Sequence, residues 1–533
     1  MSTFSGTGAL ARLALRRDRV MLPTWVYVIT AAVSSTAYSF RKLYPTPAAR
    51  AGLAVSGGGN PALRFLYGRL NGSSVGALTD WRYGIWAGIF AALMTTFIVV
   101  RHTRADEEAG RLELVGSAAV GRHAALAAAL AVGAAANAVL AVLLCVALPA
   151  IGLPAEGSAA LALATAACGL AFGGVAAVAA QVAAGARGAR GLAITVLGAA
   201  FVFRAAGDSA GPGGPSWLTW LSPLGWTQLV RPFAGERWWV LLLPLALSAA
   251  CGAAAFALAA RHDHGAGLLP ERLARPAASA LLRGPFGLAW RLQRGVLAAW
   301  ALGFAAAFAA SGAAAEGIGS LLGGSTALKK EFIRLGGQAA ITNAYLAALM
   351  LLAGLAAAGY AISAVLRLRS EETGQLAEPV LATAVGRTRW ALSHLLIAIA
   401  GTAALLAVAG VAAGLGYALR AGSPGIEVTR LLGAAMAHLP ASLAVAGVAV
   451  LLFGVLPSAS QAAGWSALGV AVLFGLFGQV LSLSHWVLDI SPFTHVPKLP
   501  GGAVSAAPLL WLCLATAALG AAGLAGLRRR DIG

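Results

Sequence analysis

Twelve stretches of about twenty predominantly apolar residues recur along the chain. Six fall near 20–40, 83–100, 124–152, 158–184, 190–206 and 236–260. Six more fall near 296–314, 344–366, 391–418, 432–456, 463–483 and 506–527. Each run is continuous and long enough to cross a bilayer as an α-helix. A β-barrel would instead alternate apolar and polar residues in segments of about ten. The pattern predicts an all-α polytopic membrane protein with about 12 transmembrane helices.

Composition agrees. Hydrophobic residues make up 59% of the 533 positions, charged residues 11%, and mean hydropathy is +0.80. A soluble domain is about 25% charged, so soluble, fibrous and disordered classes are excluded. The net charge of +19 would suggest nucleic-acid binding in a soluble protein. In a bilayer protein the excess reads as loop orientation, so no nucleic-acid partner is expected. With the N-terminus inside, 23 of the 38 Lys and Arg fall in inner segments and 15 in outer ones. Both termini are therefore expected on the cytoplasmic side. Arg12, Arg16, Arg17 and Arg19 precede the first run without a small-residue cleavage site after it, so no cleavable signal peptide is expected.

The two sets of six spans are related. EEAGRLELVGSAAVGR (107–122) matches EETGQLAEPVLATAVGR (371–387) at an offset of 264 to 265. LRFLYGRLNG (63–72) matches LKKEFIRLGG (328–337), LSPLGW (221–226) echoes ISPFTH (490–495), and RHDHG (261–265) echoes RRDIG (529–533). Ordered matches at nearly constant offset indicate a tandem duplication of a six-span unit. An even span number makes the repeats parallel. The expected division is 1–270, a cytoplasmic linker at 271–290, and 291–533.

The inner segment after the second span of each unit carries Glu107, Glu108, Gly110 and Glu113, which recur as Glu371, Glu372, Gly374 and Glu378. Arg122 and Arg387 close the two segments, each after Val-Gly, where the side chain can reach the phosphates of membrane lipid, an expected partner, or the preceding helix. The length suits a short helix outside the bilayer followed by a turn. Acids contribute little to topology, so matched acids suggest docking to a basic surface on a partner. Two stretches, around Leu10–Val20 and Phe286–Arg294, read either as amphipathic helices along the inner leaflet or as the charged flanks of a span. Outside, Asn60-Pro61 suits a helix start, with Ser325 or Thr326 capping its counterpart.

Several chemistries find no residues. There is no G-x-x-x-x-G-K-[ST], and GGSTALKK (323–330) and RLGGQ (334–338) lie in an expected outer segment. No Asp or Glu falls in the middle of an expected span, where ion-coupled transporters keep one. The His residues form no metal-ligand cluster, and His438 reads as a packed core residue. Cys145, Cys168, Cys251 and Cys513 lie in apolar runs and read as packing residues. No metal site, bound cofactor or catalytic residue is expected. Trp86, Phe90, Met94 and Phe97 on span two, Phe201 and Phe203 on span five, and Phe474 and Phe477 on span eleven are candidate walls for a large amphiphile. The same stripes suit helix packing.

These features resemble the membrane subunit of an ABC-2-type exporter, and most of all the fused twelve-span actinobacterial permeases for polyketide antibiotics (tetronasin type). E-E-x-G-x-L ending in V-G-R resembles the family's coupling-helix region, and RAAGD (204–208), WLSPLGW (220–226) and RPFAGERWW (231–239) resemble the end of its first half. The resemblance implies that Glu107, Glu108, Gly110, Arg111 and Glu113 and their counterparts contact a separately encoded ABC ATPase. Two ATPase copies would serve one chain, and ATP and Mg would bind on that partner. It also implies export of a hydrophobic small molecule from the bacterial cytoplasmic membrane, along a path lined by spans two and five of each half. The first segment has Arg111 and no proline; the second has Gln375, Pro379 and one extra residue, so the two docking sites are unequal. Arg204 and Asp208 have no charged counterparts, since Gly475 and Gln479 fall there. They form either a local ion pair at the outer interface, worth about 0–1 kcal/mol if exposed, or an outer gate or contact with polar substrate. An ion-gradient-driven efflux pump and a non-transporting scaffold are the alternatives.

Overall fold

The computed structural model describes residues 2–59, 61–111, 120–209, 215–261, 284–321, 337–421, 424–474, 485–503 and 505–531. Among these, every regular element is helical. The chain divides into two compact units, 1–273 and 274–533. Among the described residues, ten helices are long and apolar enough to cross a membrane, and one bent pair makes eleven. The expected span near 463–483 starts as the helix Pro457–Val472 and continues into residues 475–484, outside the described set. Part of the expected linker, 271–283, also lies outside it.

In the first unit, α1 (Thr7–Arg17) meets α2 (Met21–Leu43) at a bend of 68°. The second span starts earlier than its apolar run, with a helix at Val75–Thr79 and a π-turn at Asp80–Gly84 leading into α3 (Ile85–Arg101). Asp80 and Arg82 interrupt the apolar pattern there, which is why the sequence places the start near 83. The span thereby gains a buried acid, Asp80. Then follow α4 (Ala124–Ala150), α5 (Ala155–Val182), α6 (Ala186–Ser209) and α7 (Leu242–Ala259). The α5 window is 78% buried and forms the middle of the unit. In hydrocarbon, helices gain from close packing of small side chains and from polar bonds across the contact. Ala and Gly dominate α5, and Asn137 Nδ2 on α4 donates to Thr95 Oγ1 on α3 at 2.7 Å.

The second unit holds α8 (Pro285–Leu321), α9 (Gly337–Val365), α10 (Arg387–Ala421), α11 (Pro424–Met436), α12 (Leu439–Val455), α13 (Pro457–Val472) and α14 (Ala506–Arg529). The stretch around Phe286–Arg294 is the continuous start of α8, the second of its two readings, a charged flank of the span. In the first unit the chain bends at Asp18, whose buried carboxylate holds the turn; here Gln293 Nε2 pairs instead with His394 Nδ1 at 3.0 Å and the helix runs on. Ser442 Oγ on α12 donates to the Gly354 carbonyl of α9 at 2.8 Å. The backbones of α12 and α14 touch at Gly454 and Gly523, where a Cβ on either residue would strike the other helix. Gly523→Leu is expected to destabilise the protein by about 1–3 kcal/mol, visible as a lower thermal-unfolding midpoint in detergent.

Candidate functional site

The charged segment after α3 is built from two distant parts of the chain. The chain turns through His102 and Thr103 into a short helix, Arg104–Glu108. Asp18 is fully buried between α1 and α2; His102 Nε2 lies 2.6 Å from one of its oxygens and Arg101 Nε 3.2 Å from the other. Asp106 accepts from Arg17 and Arg111, both at 2.7 Å. Glu107 accepts from Arg104 Nη1 at 2.6 Å, while Arg104 Nε and Nη2 donate to the Ala183 carbonyl at 2.8 and 2.7 Å. Glu108 accepts from the Ala186 amide at 2.7 Å, where negative charge suits the N-terminus of α6. These bonds fix the segment against α1 and against the α5–α6 connection.

Gly110 closes the short helix with φ +67°, the left-handed geometry glycine adopts freely. Farther along, the Gly121 amide donates to Ser5 O at 2.9 Å and the His123 amide to Thr3 O at 3.0 Å. A side chain at 121 would collide with the Thr3 carbonyl, so a close backbone approach requires this glycine. Arg122 is exposed, and Glu113 lies outside the described residues.

The second unit arranges the same motif with different partners. A helix at Arg367–Thr373 follows α9, with Glu371 and Glu372 only 4% and 8% exposed. Glu371 accepts from Arg367 Nε at 3.1 Å and Trp390 Nε1 at 3.2 Å, with His394 Nε2 at 3.4 Å. Glu372 accepts from Arg530 Nη1 and Nη2 at 2.5 and 3.0 Å and from Arg369 Nη1 at 3.1 Å. Arg530 lies over the Phe453 ring at 4.9 Å, and its carbonyl accepts from Arg387 Nη1 at 2.7 Å. This helix runs one residue farther than its counterpart in the first unit, so the left-handed position falls on Gln375, at φ +55°, rather than on Gly374. Thr373, Gly374, Gln375, Leu376, Glu378 and Pro379 are exposed and form its outer rim. A four-residue helix, Glu378–Leu381, carries part of that rim.

At the opposite end of α6, Arg204 and Asp208 lie 3.7 Å apart and are 0% and 2% exposed. The alternative of an exposed surface pair therefore does not apply. Thr219 Oγ1 donates to Asp208 at 3.0 Å, Arg69 Nε lies 3.8 Å from the same oxygen, and Arg204 stacks over Phe201 at 4.6 Å. Removing Arg204 leaves Asp208 with only Thr219 and the more distant Arg69, so Arg204→Ala is expected to cost about 3 kcal/mol. Arg204→Leu with Asp208→Leu should recover most of it, as a double-mutant cycle of unfolding midpoints will report.

Comparison with known proteins now decides the family. A model of the multidrug efflux system permease Rv1217c, C-terminal domain, matches two stretches of nearly equal length, 11–259 and 282–528. The multidrug efflux system permease protein Rv1217c of Mycobacterium tuberculosis (strain ATCC 25618 / H37Rv) is 43% identical over all 533 residues, covering 96% of that relative. The chain belongs to the Rv1217c permease family. It is a multi-pass membrane protein.

The expected aromatic walls separate in this family member. Phe90 and Phe97 face Trp25 of α2, with centroids 6.5 and 6.2 Å away, and Met94 is fully buried in the same core. Trp86 instead joins Phe201, 6.4 Å away, beside the Arg204 pair. Phe203 is exposed, Phe474 is half-buried, and Phe477 lies outside the described residues. Pro61 opens the helix Pro61–Tyr67, whereas Asn60, Ser325 and Thr326 fall outside. The residues that sequence reading missed are partners: Asp18, Arg17 and Asp106 in one unit, Trp390, His394 and Arg530 in the other. Asp106 carried a faint signal, being adjacent to the repeated acids.

Proposed function

We propose that the chain is the transmembrane subunit of an ABC-2-type exporter, carrying hydrophobic or amphiphilic drugs outward with ATP hydrolysed by a separate subunit. The observation that carries this reading is full-length similarity to a multidrug efflux permease, joined to a charged segment fixed after the second span of each unit. Two ATPase copies, one per segment, suit the duplicated sequence, and positive-inside bias supports cytoplasmic segments and termini. A polyketide-antibiotic cargo is the narrower form of the proposal.

The geometry refines how such docking would work. Glu371 and Glu372 are committed to internal bonds, so they hold the segment rigid, and an ATPase would meet the exposed rim. Leu376 is 58% exposed, and Glu378 projects beside it. Leu376→Ala with Glu378→Ala is expected to abolish co-purification of the ATPase while leaving the chain's unfolding midpoint unchanged. Retention of the ATPase by this variant would overturn the docking surface.

The ion-driven alternative has one feature in its favour: Asp80 is buried at a π-turn, and such turns are frequent at functional sites. At the repeat offset of 265 its counterpart is Tyr345, so the acid belongs to the first unit. Asp80→Asn is expected to leave ATP-driven efflux in place.

A further inference from the structure

In the second unit, α9, α10, α12 and α14 enclose an elongated cavity of about 530 Å³. Its walls include Leu392, Leu396 and Ile399 of α10, Leu443 of α12, and Ala517 and Leu524 of α14. Packing explains why it exists. α14 is pressed onto α12 at Gly523 and Gly454, and it is tied to α10 at one end by Arg528 Nε donating to Thr388 Oγ1 at 3.1 Å. On the N-terminal side of those ties α14 presents Ala517, Gly520 and Ala521, too short to reach across to α10. Leu396 and Ile399 consequently remain 50% and 43% exposed along the cleft. From Leu524 to Cys513 the cleft follows α14 for about 16 Å at 1.5 Å per residue.

The tied end is cationic. Arg389 stands three residues before Leu392 on α10, and Arg528 four residues after Leu524 on α14, so helical spacing puts each on the cleft's face. Both are exposed. An apolar cleft within the membrane-spanning helices, ending beneath two guanidinium groups, matches a molecule with a hydrocarbon chain and an anionic head. We propose that this cleft is a binding site for an anionic phospholipid, with an acyl chain between α10 and α14 and the phosphate on Arg389 and Arg528. Guanidinium groups suit phosphate through paired N–H donors. The site is independent of any ATPase, and its occupancy stands or falls separately from the transport reading.

Native mass spectrometry of the purified full chain, titrated with dioleoyl phosphatidylglycerol or dioleoyl phosphatidylcholine, tests the site. The chain is expected to retain phosphatidylglycerol in preference to phosphatidylcholine. Arg389→Gln with Arg528→Gln should weaken phosphatidylglycerol binding about tenfold or more and leave phosphatidylcholine unaffected. Ala517→Trp should block the cleft, and a photoactivatable acyl chain should label peptides from α10 and α14. Because Ala517→Trp could disturb folding, the surface pair Arg389 and Arg528 provides the independent arm. Equal retention of both lipids by the native chain, unchanged phosphatidylglycerol binding in the double Arg variant, or labelling confined to other helices would overturn the proposal.

Discussion

Glu372→Ala is expected to lower the stability of the second unit by about 3 kcal/mol and to abolish most drug efflux. The carboxylate is 3% exposed and joins Arg369 to Arg530, whose side chains are 27% and 16% exposed. Its removal leaves two guanidinium groups facing a site built for an anion. The loss falls short of the full buried-pair penalty because both cations reach some water. Arg530 ends the tie between α14 and the charged segment, so the segment should also lose its fixed position. Thermal unfolding and efflux from intact cells measure the two effects separately. Glu372→Leu with Arg530→Leu should regain stability but not efflux, since the apolar pair packs without the directional tie. A Glu372→Ala protein with an unchanged midpoint and full efflux would contradict this account.

The second large effect is expected at Asp18. Asp18→Asn keeps the size and removes the charge that Arg101 and His102 share at 3.2 and 2.6 Å. The side chain is fully buried, so the loss is expected to be about 2–4 kcal/mol, as for breaking a buried ion pair. Without that anchor the bend between α1 and α2 is expected to loosen, and α1 to become accessible to protease. Limited proteolysis of Asp18→Asn beside the native chain reports this. By comparison, Glu107→Ala should cost only about 1 kcal/mol, because its partner Arg104 keeps two bonds to the Ala183 carbonyl.

Spans and repeats were legible because an apolar run of bilayer length leaves few alternatives. The charged segments were legible too, since acids at matched positions stand out in a chain with so few charges. Their partners were not. Asp106 meets Arg17 across 89 residues, and Glu372 meets Arg530 across 158. Nothing in local spacing encodes such pairings, so four of the acids expected to face a partner protein, Glu107, Glu108, Glu371 and Glu372, are bonded within the chain. The buried state of Arg204 and Asp208 was hidden for the same reason: Thr219, Arg69 and Phe201 enclose the pair from other elements. The early start of the second span was masked by Asp80 and Arg82, which a π-turn accommodates. Gly374 shows a subtler limit, since the helix runs one residue farther than in the first unit and the left-handed geometry falls on Gln375.

The most direct test of the central claim is drug accumulation in liposomes containing this chain together with the ABC ATPase proposed as its partner. The account predicts accumulation that requires ATP, persists when proton and sodium gradients are collapsed, and disappears with Leu376→Ala and Glu378→Ala in combination. Accumulation driven by an imposed ion gradient in liposomes holding this chain alone, without ATP or the ATPase, would contradict it.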